Sequence, residues 1–393
     1  MQKFDTAVIG GGAAGIVAAI SARQRGREVV ICEKMPRLGK KILASGAGRC
    51  NISNDCLDES HYNPEARNLV KSVFSRFGKA RIEGFFNSLG LKLYSQEARV
   101  FPVTNQASSV LKVLDEELKR LKIRAEFEFE VKDITCAAKG FIVSGPGKSV
   151  SCDSVIIACG GKSYPSLGAS GSGYDLAKLF EHKITEPVPS AVPLVVKDKF
   201  CHLLQGQKIS CAARSIIGGK LRKEASGEVL FTKYGLSGTA ILDISGDISI
   251  EINRFNRKGA LVSIDMAPFI DASGLRKEVE DRISRHFAPE NLMMGILPNK
   301  FSIVLKDLFK DKSAADVVSA VKDKRFDVIG TRGWNEAEFT AGGVDLKDVN
   351  PDTLESKLKK GIYFAGEVLD VNGERGGYNL AWAWASGFVA GLA

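Results

Sequence analysis

Apolar runs and glycine clusters alternate at the start of the chain. Phe4–Ile9 is a short apolar run that predicts a buried β-strand, and the alanine-rich stretch Ala13–Arg25 predicts a helix that ends at Gly26. The next apolar run, "REVVICE", predicts a second strand that closes on Glu33. This order of strand, helix and strand is typical of a βαβ unit with a parallel sheet.

Three glycines lie between the first strand and the helix. Gly10, Gly12 and Gly15 form the pattern Gly-x-Gly-x-x-Gly, which permits a tight turn and lets a pyrophosphate approach the backbone. The open N–H groups of the following helix attract the phosphates. Glu33, at the end of the next strand, can accept hydrogen bonds from a ribose diol. The unit therefore predicts a dinucleotide-binding fold, with FAD and NAD as alternatives.

A second glycine cluster follows an apolar strand in the middle of the chain. Val155–Ala158 predicts a strand that runs directly into Gly160 and Gly161, and a helix begins near Tyr174. The preceding segments "IRAEFEFEVKDITC", "GFIVSG" and "KSVSCD" predict a three-stranded meander. An ordinary strand–loop–helix step is the alternative interpretation of this cluster.

The third glycine cluster lies near the end of the chain. Ile362–Ala365 predicts a strand, Gly366 and Glu367 follow it, and the pair Gly376–Gly377 precedes an apolar helix over Asn379–Ala390. Glycine pairs let a flat ligand lie on the backbone. The N-terminus of this helix suits the N1/C2=O edge of a flavin, because the reduced ring carries negative charge there. The late clusters therefore favour FAD.

The pattern changes between Pro187 and Arg332. "AVPLVV", "KISCAARSIIGG", "GEVLFT" and "ALVSIDMA" predict strands, whereas "GLRKEVEDRISRHF", "ENLMMGIL" and "AADVVSAVKD" predict amphipathic helices. We therefore expect an α/β protein with a Rossmann-like FAD-binding domain, made of a parallel sheet plus the meander, over residues 1–189 and 333–393. An inserted β-rich, barrel-like substrate or lid domain would cover 190–271 and 323–332, and a small helical domain 272–322.

Composition and charge narrow the class of protein. The chain has 393 residues, 44% hydrophobic and 26% charged, which indicates a globular protein rather than a disordered one. The formal net charge of +9 favours anionic partners, but acids and bases are interleaved, so a solvated basic surface is favoured over a nucleic-acid face. The eight cysteines show no zinc spacing and suit a reducing compartment. With no targeting or membrane segment apparent, we expect a cytoplasmic protein.

Longer motifs carry a resemblance to a known family. "GKKILASGAGRCNISN", "RVFPVTNQA", "GEVLFTKYGLSGTAILDIS", "TAGGVDLKDVNPDTLESK" and "GIYFAGEVLDVNGERGGYNLAWAWASG" resemble the YhiN/BaiN-like family of bacterial FAD-dependent oxidoreductases, from about Phe4 to Gly391. Departures are small: Ala98 and Ala381 stand where the family has glycine and glutamine. The resemblance implies non-covalent FAD, the glutathione-reductase type of FAD-binding fold, the same three-part plan, and substrates that include unsaturated ring ketones and amines.

The glycine clusters and the resemblance together define a set of candidate site residues. We expect "GKKILASGAGRCN" to form a second wall of the flavin site. The predicted cofactor-binding residues are Gly10, Gly12, Ala13, Ala14, Gly15, Glu33, Lys34, Lys40, Lys41, Ser45, Gly46, Gly48, Arg49, Cys50, Asn51, Val131, Ala158, Gly160, Gly161, Gly366, Glu367, Gly376, Gly377, Tyr378, Asn379 and Leu380.

No catalytic group stands out from the sequence. Arg375, Tyr378 and Cys50 are the weak candidates, and Cys50 is favoured as a buried thiol over a redox partner of Cys56. The four histidines, at 61, 182, 202 and 286, are scattered, and none is favoured as a catalytic base. We expect no metal site.

The sequence thus predicts an FAD-dependent oxidoreductase. It would transfer a hydride between flavin N5 and a small organic substrate of the amine, ketone or enone class. Oxygen or NAD(P)H would be the other redox partner, with NAD(P)H bound only transiently because a second dinucleotide unit is not apparent. We expect neither a nucleic-acid partner nor a membrane, and the pattern carries no signal for an oligomeric state. A flavoprotein of RNA modification and a non-enzymatic flavin-binding redox sensor remain alternatives.

Overall fold

The computed structural model describes residues 2–392. The strands are β1 (Gln2–Ile9), β2 (Val29–Cys32), β3 (Ser53–Asn54), β4 (Leu93–Gln96), β5 (Arg99–Pro102), β6 (Arg124–Glu126), β7 (Asp133–Cys136), β8 (Phe141–Gly145), β9 (Lys148–Ile157), β10 (Ile184–Ser190), β11 (Leu194–Val196), β12 (Lys208–Ile217), β13 (Lys220–Thr232), β14 (Gly235–Ser237), β15 (Leu261–Asp265), β16 (Lys324–Thr331), β17 (Phe339–Val344) and β18 (Ile362–Phe364).

The α-helices alternate with these strands. They are α1 (Ala13–Gln24), α2 (Lys40–Ala44), α3 (Arg67–Phe77), α4 (Lys79–Ser88), α5 (Ala107–Arg120), α6 (Ser172–Lys178), α7 (Lys199–Leu203), α8 (Thr239–Ser249), α9 (Ala272–Ser284), α10 (Ser302–Phe309), α11 (Ala314–Lys322) and α12 (Tyr378–Ala390). Contacts divide the chain into two units: unit 1 runs up to Pro187 and resumes at Phe339, and unit 2 runs from Val188 to Glu338.

A seven-stranded sheet lies at the centre of unit 1. Its order is β6-β2-β1-β9-β8-β7, and β18 also pairs with β9. Strands β6, β2, β1, β9 and β18 are parallel to their neighbours, whereas β7 and β8 are antiparallel. The fully buried run of β2 fits a parallel strand that is covered on both faces. This arrangement confirms the predicted Rossmann-like sheet and its meander.

Strand β9 is longer than the sequence pattern predicts. "KSVSCD" and Val155–Ala158 were expected as separate strands, but Lys148–Ile157 is one continuous strand. Its first half pairs with β8 and its second half with β18. No glycine or proline interrupts the run, so nothing forces a turn. A second correction concerns "IRAEFEFE", because β6 pairs with β2 in the parallel sheet and is not part of the meander.

Helices α1 and α12 pack closely in unit 1 because small residues line their crossing. A Cβ on Gly387 would lie 2.3 Å from the carbonyl oxygen of Ala14, and one on Gly391 would lie 2.4 Å from that of Ala18. Both distances are shorter than any normal contact, so these glycines allow the backbones to approach. The crossing fixes the start of α12 relative to the start of α1, and both helix starts were predicted to face the cofactor.

Unit 2 contains a closed barrel with the order β11-β14-β13-β12-β15-β16, which confirms the predicted barrel-like insertion. Helices α9 to α11 share one hydrophobic core with the barrel, since Leu275 and Val317 belong to the same buried cluster as Val262. "ENLMMGIL", predicted as a helix, instead forms a short 3-10 turn, Pro289–Asn291, followed by irregular chain. Gly295, with φ of 77°, interrupts the helical pattern there.

Candidate functional site

The first glycine turn is shaped by close backbone packing. Gly10 has φ of 106°, and a Cβ on Gly15 would lie 1.8 Å from the carbonyl oxygen of Gly10. By contrast, a Cβ on Gly12 would meet no atom within 4 Å. Gly12 is the N-cap of α1 and no side chain caps this helix, which begins with Ala13 and Ala14, so its first N–H groups are left for another partner. The turn therefore offers a cradle for an anion.

Glu33 closes the far side of this turn. One carboxylate oxygen accepts the N–H of Gly11 at 2.6 Å, and the other accepts the N–H of Met35 at 2.7 Å. The residue is only 9% exposed, yet each oxygen keeps a lone pair for a further donor. Phe129 donates its N–H to the carbonyl of Glu33 at 3.0 Å, which brings the segment containing buried Val131 alongside. Lys34, however, donates to Ser170 Oγ at 2.8 Å.

The segment Gly39–Asn51 is more ordered than its polar, glycine-rich composition suggests. It forms α2, which begins at Lys40, and then a 3-10 turn over Ser45–Gly48. Gly46 and Gly48 have φ of 56° and 84°, which is the left-handed backbone region that favours glycine. The guanidinium of Arg49 lies 4.4 Å from the centre of the Phe101 ring, and the side chain is exposed. Part of this glycine-rich segment is therefore helical.

Cys50 is fully buried within this segment. Burial raises the pKa of its thiol to about 12, so the group is protonated at neutral pH. Cys50 and Cys56 are both free thiols, and Cys56 is exposed. The burial of this free thiol thus favours a packing role for Cys50, which is the interpretation preferred from the sequence.

Lys41 and Glu367 join the second wall to the third glycine cluster. The Lys41 ammonium donates to Glu367 Oε2 at 2.8 Å, and the N–H of Thr340 donates to Oε1 at 2.8 Å. The N–H of Gly161 lies 3.3 Å from Oε2, so the second glycine cluster also meets this carboxylate. Burial raises the pKa of Glu367, but the Lys41 charge and these hydrogen bonds outweigh it, and the net pKa lies below its usual value. Glu367 is therefore ionised at neutral pH.

The start of α12 completes the arrangement. Gly377 caps the helix with φ of 104°, and a Cβ there would lie 2.2 Å from the carbonyl oxygen of Ser53 and 2.8 Å from Asn51 Oδ1. Within residues 2–392, the buried Asn51 Oδ1 and Ser53 Oγ have no hydrogen-bond partner. Buried polar atoms of this kind are usually satisfied, which points to a polar ligand at this place.

Two tryptophans of α12 tie the loops to the helix. Trp382 donates its indole N–H to the carbonyl of Gly366 at 3.1 Å, and Trp384 donates to the carbonyl of Ile52 at 3.2 Å. The side chain of Asn379 is bound to the backbone of its own loop, since it accepts from and donates to Gly373 at 2.9 Å. Asn379 thus shapes the turn before the helix. Leu380 is partly buried on the helix.

A histidine that sequence reasoning did not favour lies at this helix start. His61 Nδ1 is 2.9 Å from Glu374 Oε2, and its ring stacks on Tyr378 with 4.4 Å between ring centres. Burial raises the pKa of Tyr378 to about 12. The sequence signal is weak because His61 and Glu374 are far apart along the chain. Only the position of His61 shortly after the "GRCN" motif could have suggested it.

The predicted residues fall into three groups of contacts in unit 1. Glu33 contacts the first glycine turn and the segment before Val131, Lys41 and Gly161 contact Glu367, and Asn51 lies against Gly377 at the start of α12. Ala158 and Gly160 lie beside the first turn, because the carbonyl oxygen of Ala158 would meet a Cβ on Gly10 at 2.6 Å. Among the described residues, no group of three or more His, Cys, Asp or Glu is placed to hold a metal ion. None of the described helices is long and apolar enough to cross a membrane.

Comparison with known proteins identifies the class. The 3-dehydro-bile acid delta(4,6)-reductase of Clostridium scindens is 37% identical over an alignment of 401 positions that covers 98% of this chain and 98% of that protein. The ribosomal RNA dihydrouridine synthase of Escherichia coli is 30% identical over an alignment of 404 positions that covers 99% of this chain and 97% of that protein. A 3-ketosteroid delta1-dehydrogenase from Sterolibacterium denitrificans shares the fold, with a TM-score of 0.52, 12% identity and coverage of 100% and 99%. The chain is an FAD-dependent oxidoreductase.

The family is equally well defined. The HI0933-like protein Rossmann domain family matches residues 4–393, and the chain belongs to it. This confirms the resemblance, the Rossmann-like FAD-binding fold and the FAD cofactor that the sequence predicts. The open cradle at Gly12 and the unpartnered Asn51 oxygen fit a phosphate-bearing cofactor with a polar ring.

Proposed function

We propose that this chain is an FAD-dependent reductase of a carbon–carbon double bond conjugated to a carbonyl group in a small, steroid-like cyclic substrate. The observation that carries the proposal is the full-length similarity, at 37% identity, to the Clostridium scindens 3-dehydro-bile acid delta(4,6)-reductase. The alignment covers 98% of both chains, so the similarity is not confined to one domain. Of the three substrate classes that the sequence predicts, amine, ketone and enone, the proposal selects the enone.

A second relative supports the same bond chemistry. The name dihydrouridine synthase denotes saturation of the uracil double bond, which is also conjugated to a ring carbonyl. In such substrates the carbonyl draws electrons from the distal alkene carbon, which then accepts a hydride. Bound FAD, once reduced, supplies that hydride from N5. The chain's own residues must bind the cofactor, orient the substrate and provide a proton.

We assign the cofactor contacts as follows. The N–H groups at Gly12, Ala13 and Ala14 would hold the pyrophosphate, since no side chain caps the helix start and a Cβ on Gly12 would meet nothing. Glu33 would accept from the adenosine ribose, and the Val131 segment would border the adenine. Lys41 and Glu367, whose ionised carboxylate is a strong acceptor, would hold the hydroxyl-bearing linker.

The ring end of the cofactor is assigned to the start of α12. The free N–H groups and partial positive charge of this helix suit the flavin N1/C2=O edge. The unpartnered Oδ1 of Asn51 can accept an N–H from the ring. Arg49, Arg375 and Tyr378 lie on the segments that border this end, and they are the side chains that we expect to meet the substrate.

The test uses the FAD-loaded full-length enzyme under anaerobic conditions. The flavin is reduced with dithionite and mixed with 4-androstene-3,17-dione, cyclohexenone, an amine or a hydroxy ketone without a double bond. We expect flavin reoxidation with the two enones and not with the last two compounds. Separate mixing of oxidised enzyme with NADH, NADPH and the amine identifies the reductant. Reoxidation by neither enone, or reduction of the oxidised flavin by the amine, would contradict the proposal.

A second candidate function is reduction of a uracil base in RNA. The ribosomal RNA dihydrouridine synthases of Escherichia coli and Haemophilus influenzae are 30% and 29% identical over nearly their full length, and the chain carries a net charge of +9. The same reduced enzyme, mixed with ribosomal RNA transcripts, distinguishes the two. Dihydrouridine formation, with RNA retention that falls steeply with salt, would favour this second candidate. No RNA retention at low salt would eliminate it.

A further inference from the structure

His61 and Glu374 form a pair of the kind used in acid–base catalysis. Nδ1 of the imidazole lies 2.9 Å from a carboxylate oxygen. A carboxylate is only an acceptor when it is ionised, so Nδ1 carries the proton and donates it. The neutral ring is therefore held with its proton on Nδ1, which leaves the lone pair on Nε2. Within residues 2–392 no hydrogen bond engages Nε2, and the side chain is 28% exposed.

Stacking fixes the plane of this imidazole. The rings of His61 and Tyr378 lie 4.4 Å apart at an interplanar angle of 22°, and Tyr62 packs edge-on against the other ring. The Tyr62 hydroxyl donates to the carbonyl of Tyr378 at 2.7 Å. One stacked ring, itself held by Tyr62, and a carboxylate thus hold His61 in one orientation. Surface histidines that only interact with solvent are not restrained in this way.

The pair lies beside the segment that we assign to the flavin ring. Tyr378 is the first residue of α12, and the preceding Gly377 would meet Asn51 Oδ1 at 2.8 Å if it carried a Cβ. Since that oxygen is buried and unpartnered, a polar ligand group belongs next to it. The Tyr378 ring lies between His61 and this position, and Nε2 of His61 makes no hydrogen bond within residues 2–392.

We propose that His61 is the acid–base group of the reaction, and that Glu374 is its positioning residue. This inference rests on the proposed function. Reduced FAD would supply the hydride, with loss of its N5–H bond, to form a C–H bond at the distal alkene carbon, and the alkene electron pair would move to the carbon next to the carbonyl. Nε2–H of protonated His61 gives its proton to that carbon, and water reprotonates the ring. A nicotinamide nucleotide supplies the two electrons for the next turnover.

The other nearby groups are poorer proton donors. The pKa of Tyr378 is raised to about 12 by burial, and burial also raises that of Cys50 to about 12. Proton transfer is efficient when the donor titrates near the operating pH, which imidazole does. The titratable and charged groups around His61 are Cys56, Asp58, Glu59, Arg67, Glu374, Arg375 and Tyr378.

The decisive variant is His61→Asn, because its amide can still donate to Glu374 but cannot titrate. With dithionite-reduced enzyme and cyclohexenone, we expect flavin reoxidation about 100-fold slower or more at neutral pH. The wild-type rate should fall with rising pH as the proton donor is lost, and this step should be missing from the variant. FAD affinity and the rate of flavin reduction should not change. The matched control is His202→Asn, an exposed histidine on α7, which should behave as wild type.

A readout that needs no turnover tests the pair itself. The chain has only four histidines, so histidine-labelled protein gives resolvable ring signals in NMR. We expect the Nδ1–H tautomer for neutral His61, and loss of that preference in Glu374→Ala. Tyr378→Phe keeps the stacking and should keep the pH step. A loss of that step in Tyr378→Phe would instead identify the tyrosine as the donor.

The outcomes separate this inference from the proposed function. If wild-type enzyme reduces no enone, the proposed function fails. If wild type reduces cyclohexenone and His61→Asn does so at the same rate and with the same pH step, the inference about His61 is wrong. An Nε2–H tautomer for neutral His61 in the wild type would also overturn it.

Discussion

At the scale of single residues, the glycines of the first turn have two different physical roles. Gly15 lies where a Cβ would be 1.8 Å from the carbonyl oxygen of Gly10, so helix and strand could not pack with any side chain there. Gly12 faces open space, and its φ of −86° is accessible to every residue. The fold therefore requires glycine at Gly15, whereas only a ligand would require it at Gly12.

This difference yields a paired prediction. Gly12→Ala should leave the thermal stability of the FAD-free protein unchanged, but weaken FAD binding by about tenfold or more (~1.4 kcal/mol) because the methyl group occupies the phosphate cradle. Gly15→Ala should lower the stability of the FAD-free protein itself. Calorimetry without FAD and fluorescence titration with FAD separate the two effects. Equal FAD affinity in Gly12→Ala and wild type would show that the cradle is misassigned.

The same scale shows what sequence reasoning can find. Asn51 was predicted because it ends a glycine-rich motif, and its buried oxygen is indeed unpartnered. His61 was not favoured, because its significance depends on Glu374, which the folded chain brings from far along the sequence. Isolated polar residues acquire a role only through such long-range contacts. Ala98 shows the converse: it stands where the family has glycine and adopts φ of 60°, so the backbone keeps the turn without the residue that favours it.

At the scale of elements, buried polar links connect segments that are far apart in sequence. His182 lies between α6 and β10, is 3% exposed, and its Nε2 is 2.6 Å from Ser356 Oγ, in the segment that precedes β18. Its ring packs edge-on against Phe364 of β18. The sequence predicts a helix that begins near Tyr174 and a strand over Ile362–Ala365. Nothing in the hydrophobic periodicity indicates that a histidine connects these two segments.

This link predicts a pH dependence of stability. Burial lowers the pKa of His182 below its usual 6.5, so the unfolded chain binds a proton more readily than the folded one. The contribution to stability is therefore complete above about pH 6.5 and is lost as the pH falls below it. We expect the unfolding free energy of wild type to fall relative to that of His182→Gln over this range. The control His202→Gln should show a constant difference. A constant difference for His182→Gln as well would mean that folding does not change the pKa of His182.

At the scale of the whole molecule, the parts bounded by glycine were the most predictable. Strand–glycine–helix steps predicted the parallel sheet and the three clusters, because close packing and phosphate approach both demand glycine. Barrel closure and the shared core of α9 to α11 were harder to predict, since Leu275 and Val262 belong to one cluster only after folding. The proposed separate helical domain would need a core of its own.

The two units have separate hydrophobic cores, and this predicts where FAD stabilises the chain. A ligand that binds only the folded state adds about 2.7 kcal/mol when present at 100 times its Kd. With all proposed contacts in unit 1, hydrogen exchange should slow in the β1–α1 turn, in Gly39–Asn51 and around Gly376–Gly377 when FAD is added. Amides of the barrel strands in unit 2, whose core is a different cluster, should exchange at the same rate with and without FAD. Gly12→Ala at the same FAD concentration provides the control, and its amides in unit 1 should be less protected from exchange than those of the wild type. Equal slowing in both units would show that the two cores unfold as one cooperative structure.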